Sequence, residues 1–261
     1  MGDLYETLAH ALREGRPVAL VTETAGPRPG AKLLAELEGP ARGDLGDPEL
    51  NRRVARDARA ELESGLTGER HYGPECQARP DEVTVFIESF APPPRMVVFG
   101  AVDFTAALVR VAKVLGYTVT VCDARGVFAT RARFPAADDV RNEWPQELLG
   151  RIGTMLGPRD AVCVLTHDPK FDVPAIVAAL ATRVGYIGVM GSRRTHERRL
   201  VRLREEGVTE AELARVMAPI GLDIGARTPE ETAISIVSEI IALRARRAAL
   251  SLRDGSGPIH R

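Results

Sequence analysis

Cysteine is scarce in this 261-residue chain, and long apolar runs are missing from it. The three cysteines, Cys76, Cys122 and Cys163, are too few and too scattered for a disulfide framework or a zinc site. No apolar segment approaches the roughly 18 residues that a membrane-spanning helix needs. We therefore expect a protein of the reducing cytoplasm that has neither a membrane segment nor a metal site.

The chain also has no surplus of charge of one sign. With 35 basic and 36 acidic residues its formal net charge is −1, which argues against a general nucleic-acid binder because such proteins usually carry a basic bias. The patterns of several common catalytic centres are missing too: there is no Gly-x-Ser-x-Gly elbow, Walker loop, HExxH motif or CxxC pair. The sequence predicts no catalytic residue.

Three consecutive prolines, at positions 92–94, divide the chain because they exclude helix and central strand. Before them, Leu4, Leu8 and Leu12 recur on one face of a helix, and Asp47 is placed to cap a second helix. Residues 1–91 are therefore predicted to form a small α+β domain. Its other predicted elements are strands at 17–22, 32–38 and 83–87 and the capped helix at 48–62.

After the prolines, continuous apolar strands alternate with helices, which is typical of a parallel sheet covered on both faces. The sequence predicts an α/β fold in which a Rossmann-like parallel-sheet domain spans residues 92–250. A polar, glycine-rich stretch at 251–261 is predicted to be a disordered tail. The predicted strands lie at 96–99, 118–121, 161–165 and 184–188, and the predicted helices at 104–115, 173–181, 196–204 and 229–248.

The first candidate loop surrounds Gly100, between a strand and a helix, where a Rossmann fold has its phosphate loop. Asp123 closes the next strand at the spacing of a carboxylate that binds a ribose, and Arg125 follows it. However, Val102 occupies the place of the second glycine, and Asp103 puts negative charge where a phosphate would lie. Two interpretations therefore remain open: a structural turn in which Asp103 caps the helix, and a working nucleotide loop. Binding of NAD(P) is disfavoured.

The second candidate loop, at 166–172, follows the strand predicted at 161–165. His167, Asp168 and Lys170 can donate, accept or carry charge beyond the carboxyl end of that strand, where open α/β sheets bind ligands. The alternative is a polar loop in which Asp172 caps the next helix. A metal site is disfavoured because neighbouring residues rarely chelate one ion together.

The third candidate loop, at 188–195, contains Gly191, Ser192, Arg193 and Arg194. Backbone N–H groups at a helix start, flanked by arginines, can bind an anion. Anion binding and a plain helix start remain open for this loop. The arginines farther along are interpreted as a solvated helix face: Arg198, Arg199, Arg202 and Arg204.

A fourth segment holds Asp223 between two glycines, ahead of a helix that Thr228 caps; Asp223 is either a turn residue or part of a site. Loops that follow parallel strands meet at one edge of the sheet. We therefore expect the loops at Gly100, His167 and Gly191 to line one pocket together with Asp223.

Three segments, at 164–172, 188–196 and 219–231, resemble in this order the XdhC/CoxI family of molybdenum-hydroxylase accessory proteins. The basic loop at 26–32 is similar to the family's Gly-Ser-x-Pro-Arg-x-Gly-x-Lys segment, although by itself it reads either as an anion clasp or as a bare turn. The resemblance covers nearly the whole chain. Many members carry Ser-Gly-Gly-Cys-x-Glu soon after the loop lysine, and the lack of a cysteine after Lys32 speaks against a thiolate-to-molybdenum role here.

The resemblance implies a two-domain protein that binds molybdenum cofactor and assists its maturation or delivery to a xanthine- or carbon-monoxide-dehydrogenase-like apoenzyme. The alternative is an NAD(P)-dependent oxidoreductase with Asp123 on the ribose and His167 as proton donor. The alanine-rich side of the helix at 229–248 favours a homodimer. The residues expected to bind the cofactor are Gly100, Asp123, Arg125, His167, Asp168, Lys170, Gly191, Ser192, Arg193, Arg194 and Asp223.

Overall fold

The computed structural model describes residues 2–73 and 83–254. Cys76 and the greater part of the tail predicted at 251–261 lie outside the described residues. The chain divides into two compact units, Met1–Pro92 and Pro93–Arg261. Across the described ranges, no helix combines the length and the apolar character that crossing a membrane requires.

The first unit is an antiparallel sheet with a helix on each face. Across the sheet the strand order is β3-β2-β1-β5-β4. Alternate side chains of a strand face opposite ways, so Val18 packs on Ala11 of α1 while Val21 packs on Val54 of α2. The elements are α1 (Gly2–Arg13), β1 (Val18–Ala25), β2 (Lys32–Glu36), β3 (Arg42–Gly43), α2 (Pro48–Ser64), β4 (Gly68–Tyr72) and β5 (Val83–Phe90).

The start of α2 is confirmed. The Asp47 carboxylate accepts a hydrogen bond from the Leu50 N–H at 2.7 Å, and Pro48 occupies the first helical position, where its missing N–H costs nothing.

The second unit is a parallel sheet in the order β11-β10-β9-β6-β7-β8. The predicted α/β class and the Rossmann-like parallel domain are confirmed. The elements are β6 (Arg95–Phe99), α3 (Asp103–Val114), β7 (Thr118–Cys122), β8 (Asp139–Arg141), α4 (Pro145–Ile152), β9 (Ala161–Val164), α5 (Pro169–Leu180), β10 (Tyr186–Val189), α6 (Arg193–Glu205), α7 (Glu210–Leu213), β11 (Val216–Met217) and α8 (Pro229–Arg244).

Helices cover both faces of this sheet, which explains its continuously apolar strands. One layer of the core joins the strands to α3 and α8, and it contains Val98, Cys163 and Ile236. The other layer joins them to α4, α5 and α6, and it contains Cys122 and Ile176. Burial raises the pKa of the Cys122 thiol to about 12, and burial also raises the pKa of the Cys163 thiol.

Two helices begin three or four residues earlier than predicted, and both start beside a polar cap. α5 starts at Pro169 and α6 at Arg193, each next to a side chain that caps it: Asp168 accepts from the Lys170 N–H, and Ser192 Oγ from the Thr195 N–H. The first turn of α6 is polar, and that of α5 has Phe171 as its one apolar side chain after Pro169, so neither turn shows the apolar repeat from which helices are predicted.

The shortest and most polar elements are also missed. Most are too short to show an apolar repeat, and in β4 only Tyr72 is buried. The closing helix α8 ends at Arg244 rather than at residue 248. The described elements without a sequence prediction are β3, β4, β8, α4, α7 and β11.

Candidate functional site

The candidate loops follow strands whose carboxyl ends lie at one edge of the parallel sheet. Phe99 of β6 pairs in register with Cys122 of β7 and Val164 of β9, and Val164 pairs with Val189 of β10. The backbone ladder continues past the strand ends, because the Leu165 N–H donates to Phe99 and the Met190 N–H to Val164. The loops that begin at Gly100, Leu165 and Met190 therefore start side by side.

Gly100 packs directly against the loop that follows β9. Its φ is +107°, and a Cβ there would lie 2.7 Å from Thr166 Cγ2 and 3.1 Å from the Thr166 nitrogen. Positive φ and the close approach both require glycine at this position.

Asp123 holds the Gly100 turn rather than presenting free oxygens. Its Oδ2 accepts from the Ala101 N–H at 2.9 Å and from Arg125 Nη2 at 2.8 Å, while Oδ1 accepts from the Arg125 N–H and Nε, both at 2.9 Å. Burial by itself would raise the pKa of Asp123, but the hydrogen bonds from Arg125 and Ala101 outweigh it and lower that pKa. A carboxylate has about four lone-pair sites, so a ribose hydroxyl would have to displace one of these donors.

The start of α3 contradicts the interpretation of Asp103 as a helix cap and agrees with a negative charge at the helix N-terminus. Val102 occupies the N-cap position with φ −109°, so its backbone is extended and its β-branch causes no strain there. Asp103 is the first residue of the helix instead of its cap. Its side chain is 90% exposed and lies 3.5 Å from Arg133.

The placement of Val102 and Asp103 predicts weak binding of nucleotides. Unmodified protein should bind NAD, NADP and ADP with dissociation constants no tighter than roughly 100 μM. Val102→Gly with Asp103→Asn should tighten ADP binding. Removing the exposed Asp103 charge should improve the free energy of ADP binding by about 1 kcal/mol, or roughly fivefold in affinity. The effect is this small because repulsion between charges about 4 Å apart is screened by water. Calorimetry measures the affinities of the unmodified protein and of the double variant, and Asp103→Asn alone is the control. Micromolar NAD binding with hydride turnover by unmodified protein would contradict the prediction and favour an oxidoreductase.

Asp172 does not cap α5, because the helix already starts at Pro169 and Asp172 lies one turn inside it. Its side chain is only 2% exposed; Oδ2 lies 2.8 Å from Arg199 Nη2, and Oδ1 accepts from the Thr166 hydroxyl. Three residues at the start of α5 and just before it are exposed: His167, Asp168, which caps the helix, and Lys170.

Arg199 corrects the interpretation of the arginines of α6 as a solvated face. Its side chain is 3% exposed, and its Nη2 donates both to Asp172 and, at 3.0 Å, to the Met190 carbonyl. It therefore ties the loop after β9 to the loop after β10. The sequence did hold a signal, because Arg199 lies four residues before the buried Leu203 and hence on the same face of the helix.

Between these two loops lies a cleft of about 560 Å³. Its charged lining consists of three arginines and the carboxylate of Asp172, which is already paired with Arg199. The cleft therefore has an excess of positive charge and suits an anion. Its lining residues are His167, Pro169, Asp172, Met190, Gly191, Ser192, Thr195, Arg198, Arg199 and Arg202.

Comparison with known proteins places this architecture in a family. The model of the XdhC Rossmann domain matches residues 96–240, more than half of the chain, and the model of the XdhC and CoxI family matches residues 11–73. The chain belongs to the XdhC/CoxI family.

Individual relatives of this XdhC/CoxI protein agree with that assignment. It is 33% identical over 171 residues to a probable xanthine dehydrogenase subunit from Bacillus subtilis, covering 65% of this chain and 49% of that one. It is 36% identical over 84 residues to the molybdenum cofactor insertion chaperone PaoD of Escherichia coli, covering 32% of this chain and 26% of PaoD. The chain thus spans less than half the length of these relatives.

A solved structure shows the same fold. The crystal structure of a xanthine dehydrogenase from Bacillus halodurans superposes with a TM-score of 0.53 and covers 95% of this chain and 97% of that one. The identity is 20%, so this likeness concerns the fold alone.

The predicted site residues of this XdhC/CoxI protein separate into groups. His167, Gly191 and Ser192 line the cleft. Gly100, Asp123 and Arg125 form the neighbouring turn at the same edge. The remaining predicted residues are exposed and are not among the residues that line the cleft: Asp168, Lys170, Arg193, Arg194 and Asp223.

Beside the Asp123 turn lies an aromatic cluster that the sequence did not reveal. Trp144 stacks on Phe171 with ring centroids 5.0 Å apart. The Arg125 guanidinium lies 4.8 Å from the Phe128 ring centre and 5.5 Å from that of Phe171. Arg125, Trp144 and Phe171 lie far apart in sequence, and the planar groups of the cluster offer stacking surfaces for a heteroaromatic ring.

His196 makes the stability of this XdhC/CoxI protein depend on pH. Burial lowers the pKa of His196, the charge of Arg199 lowers it further, and Glu197 opposes the effect. The unfolded chain therefore binds a proton more readily, so the stability contribution is present above about pH 6.5 and is lost as pH falls.

Urea unfolding followed by Trp144, the only tryptophan, measures this effect in the second unit. Between about pH 7.5 and pH 5.5 the unmodified protein should lose more stability than His196→Gln, which cannot take up the proton. An equal loss in both proteins would show that His196 does not carry the dependence.

Proposed function

We propose that this protein binds molybdenum cofactor in the cytoplasm and assists its maturation or insertion into a molybdenum hydroxylase of the xanthine dehydrogenase or carbon monoxide dehydrogenase type. The observation that carries the proposal is the arginine-rich cleft at the carboxyl edge of the parallel sheet in a member of the XdhC/CoxI family. A relative named as a molybdenum cofactor insertion chaperone supports it.

The residues divide this task by their chemistry. The cleft, with Gly191 and Ser192 at its edge, accepts the anionic end of the cofactor. The Arg125 plane and the aromatic cluster beside it offer a surface on which the pterin ring stacks. Gly100 and Asp123 shape the turn that holds Arg125 in place.

The exposed predicted residues take a weaker part. Lys170, Arg193 and Arg194 attract the anion from solvent, an effect that acts within about 10 Å at ordinary salt. His167, Asp168 and Asp223 offer hydrogen bonds at the same edge of the sheet. Holding an anionic pterin requires no general acid or base, so no catalytic residue is assigned.

Mass spectrometry of the protein purified from cells that make molybdenum cofactor tests the proposal. We expect a bound pterin, and we expect the loaded protein to activate a cofactor-free molybdenum hydroxylase of the xanthine or carbon monoxide type. Unloaded protein is the control for activation. Protein that purifies without a pterin and neither binds nor transfers added cofactor would refute the proposed function.

We also propose that two copies pair through α8. Ile234, Ile241 and Leu243 of this helix are each more than 40% exposed, although its opposite stripe packs on α3. Light scattering at micromolar concentration should give twice the chain mass of 28.2 kDa. Ile241→Glu should return the mass to that of one chain, and a single-chain mass for unmodified protein would contradict the proposal.

A further inference from the structure

We propose that the cleft between the loops after β9 and β10 is a phosphate site whose fixed floor is the guanidinium of Arg199. The ligand class is a phosphate monoester. This inference rests on the proposed function and deepens it, because it names the part of a phosphate-bearing pterin that the cleft holds and the residues that hold it.

The Arg199 side chain is buried but has donors to spare. Its Nη2 is engaged by Asp172 and by the Met190 carbonyl, whereas its Nη1 is buried and has no hydrogen-bond partner among the described residues. Buried polar groups in proteins are almost always paired. An arginine nitrogen in this state therefore points to an acceptor that enters the cleft and reaches its floor.

The charge of the cleft matches a dianion. Arg198, Arg199 and Arg202 line it, and the carboxylate of Asp172 neutralises one of them. Two positive charges remain, whereas a phosphate monoester carries about −1.5 to −2 at neutral pH. Charge-assisted hydrogen bonds from guanidinium groups to phosphate oxygens are among the strongest that proteins form.

The start of α6 supplies further donors at the same place. Ser192 caps this 13-residue helix, and the N–H groups of a first helical turn have no partner within the helix. Gly191 has φ +145°, and a Cβ there would lie 3.5 Å from Arg199 Nη2. The positive φ favours glycine at this position beside the guanidinium.

Paired variants of one helix separate this site from general attraction by charge. Arg198→Gln with Arg202→Gln removes two arginines that line the cleft, and Arg193→Gln with Arg194→Gln removes two exposed ones outside it. Phosphorus NMR titration with inorganic phosphate measures the affinity of each. We expect the first pair to weaken binding about tenfold or more, and the second about twofold or less.

The floor itself is tested by Arg199→Lys, with circular dichroism as a check on folding. Lysine keeps the charge but not the planar fork, so we expect phosphate affinity to fall even when the fold is intact. If this variant unfolds, the paired variants still decide the question.

Several results would overturn the inference: no phosphate binding by the unmodified protein in the millimolar range, or equal losses in the two paired variants. A folded Arg199→Lys protein with unchanged affinity for phosphate would also overturn the inference. Phosphate binding as expected without any pterin would refute only the proposed function. Pterin binding with unaltered phosphate affinity in the Arg198/Arg202 pair would refute only the phosphate site.

Discussion

Replacing Arg199 by methionine should lower the free energy of unfolding of the second unit by about 3–5 kcal/mol. The substitution removes the cation from a pair in which both side chains are at most 3% exposed. Among the described residues, it leaves the buried Asp172 carboxylate with the Thr166 hydroxyl as its one remaining side-chain donor. The Met190 carbonyl loses a donor as well. Urea unfolding followed by Trp144 fluorescence reports on this unit specifically.

The matched control for this prediction lies on the same helix. Arg202→Met removes an exposed arginine and should change stability by no more than about 0.5 kcal/mol. Asp172→Asn combined with Arg199→Met should cost less than the sum of the two single changes, because no buried charge is then left unpaired. An Arg199→Met protein within about 1 kcal/mol of the unmodified one would show that the pair contributes little.

Gly100→Ala should be the second most damaging change, at about 2–5 kcal/mol, because it adds two costs. The backbone at φ +107° is unfavourable for any residue with a Cβ, and the new Cβ would lie 2.7 Å from Thr166 Cγ2. The same urea experiment measures the loss.

Two further variants separate the two costs. Gly116 has φ +80°, and a Cβ there would meet no other atom within 4 Å, so Gly116→Ala reports the backbone cost alone. Thr166→Ser removes Cγ2 but keeps the hydroxyl that donates to Asp172, so it should restore part of the stability of Gly100→Ala. Equal costs at Gly100 and Gly116 would mean that Thr166 moves aside without penalty.

The centre of the parallel sheet could be predicted because strands such as β6 and β9 are buried on both faces and are therefore uninterrupted apolar runs, as at Met96–Phe99. Once the strands were predicted to be parallel, the loops could be placed as well, because parallel strands bring their carboxyl ends to one edge of the sheet. Helix starts were predicted where an apolar stripe or a proline marks them, as at Pro48 and Pro229. They were missed at Arg193, where the first turn is polar, and at Pro169, where residues 166–172 were interpreted as a loop although Pro169 occupies the first helical position.

The floor of the cleft escaped prediction because burial of a charged residue depends on its partner. Asp172 and Arg199 are 27 residues apart, and each by itself has the usual preference of a charged side chain for water. The aromatic cluster escaped for a similar reason, since Arg125, Trp144 and Phe171 meet only after three separate segments have folded. Composition and periodicity describe one segment at a time.

The two buried cysteines offer natural reporters of how the parallel-sheet unit opens. Cys163 lies in the layer covered by α3 and α8, and Cys122 lies in the layer covered by α4, α5 and α6. A thiol reacts with an alkylating reagent only as an exposed thiolate, so each sulphur becomes reactive when its own layer separates from the sheet. In a Cys76→Ser background, the order in which the two sulphurs are alkylated would therefore show which layer of helices leaves the sheet first.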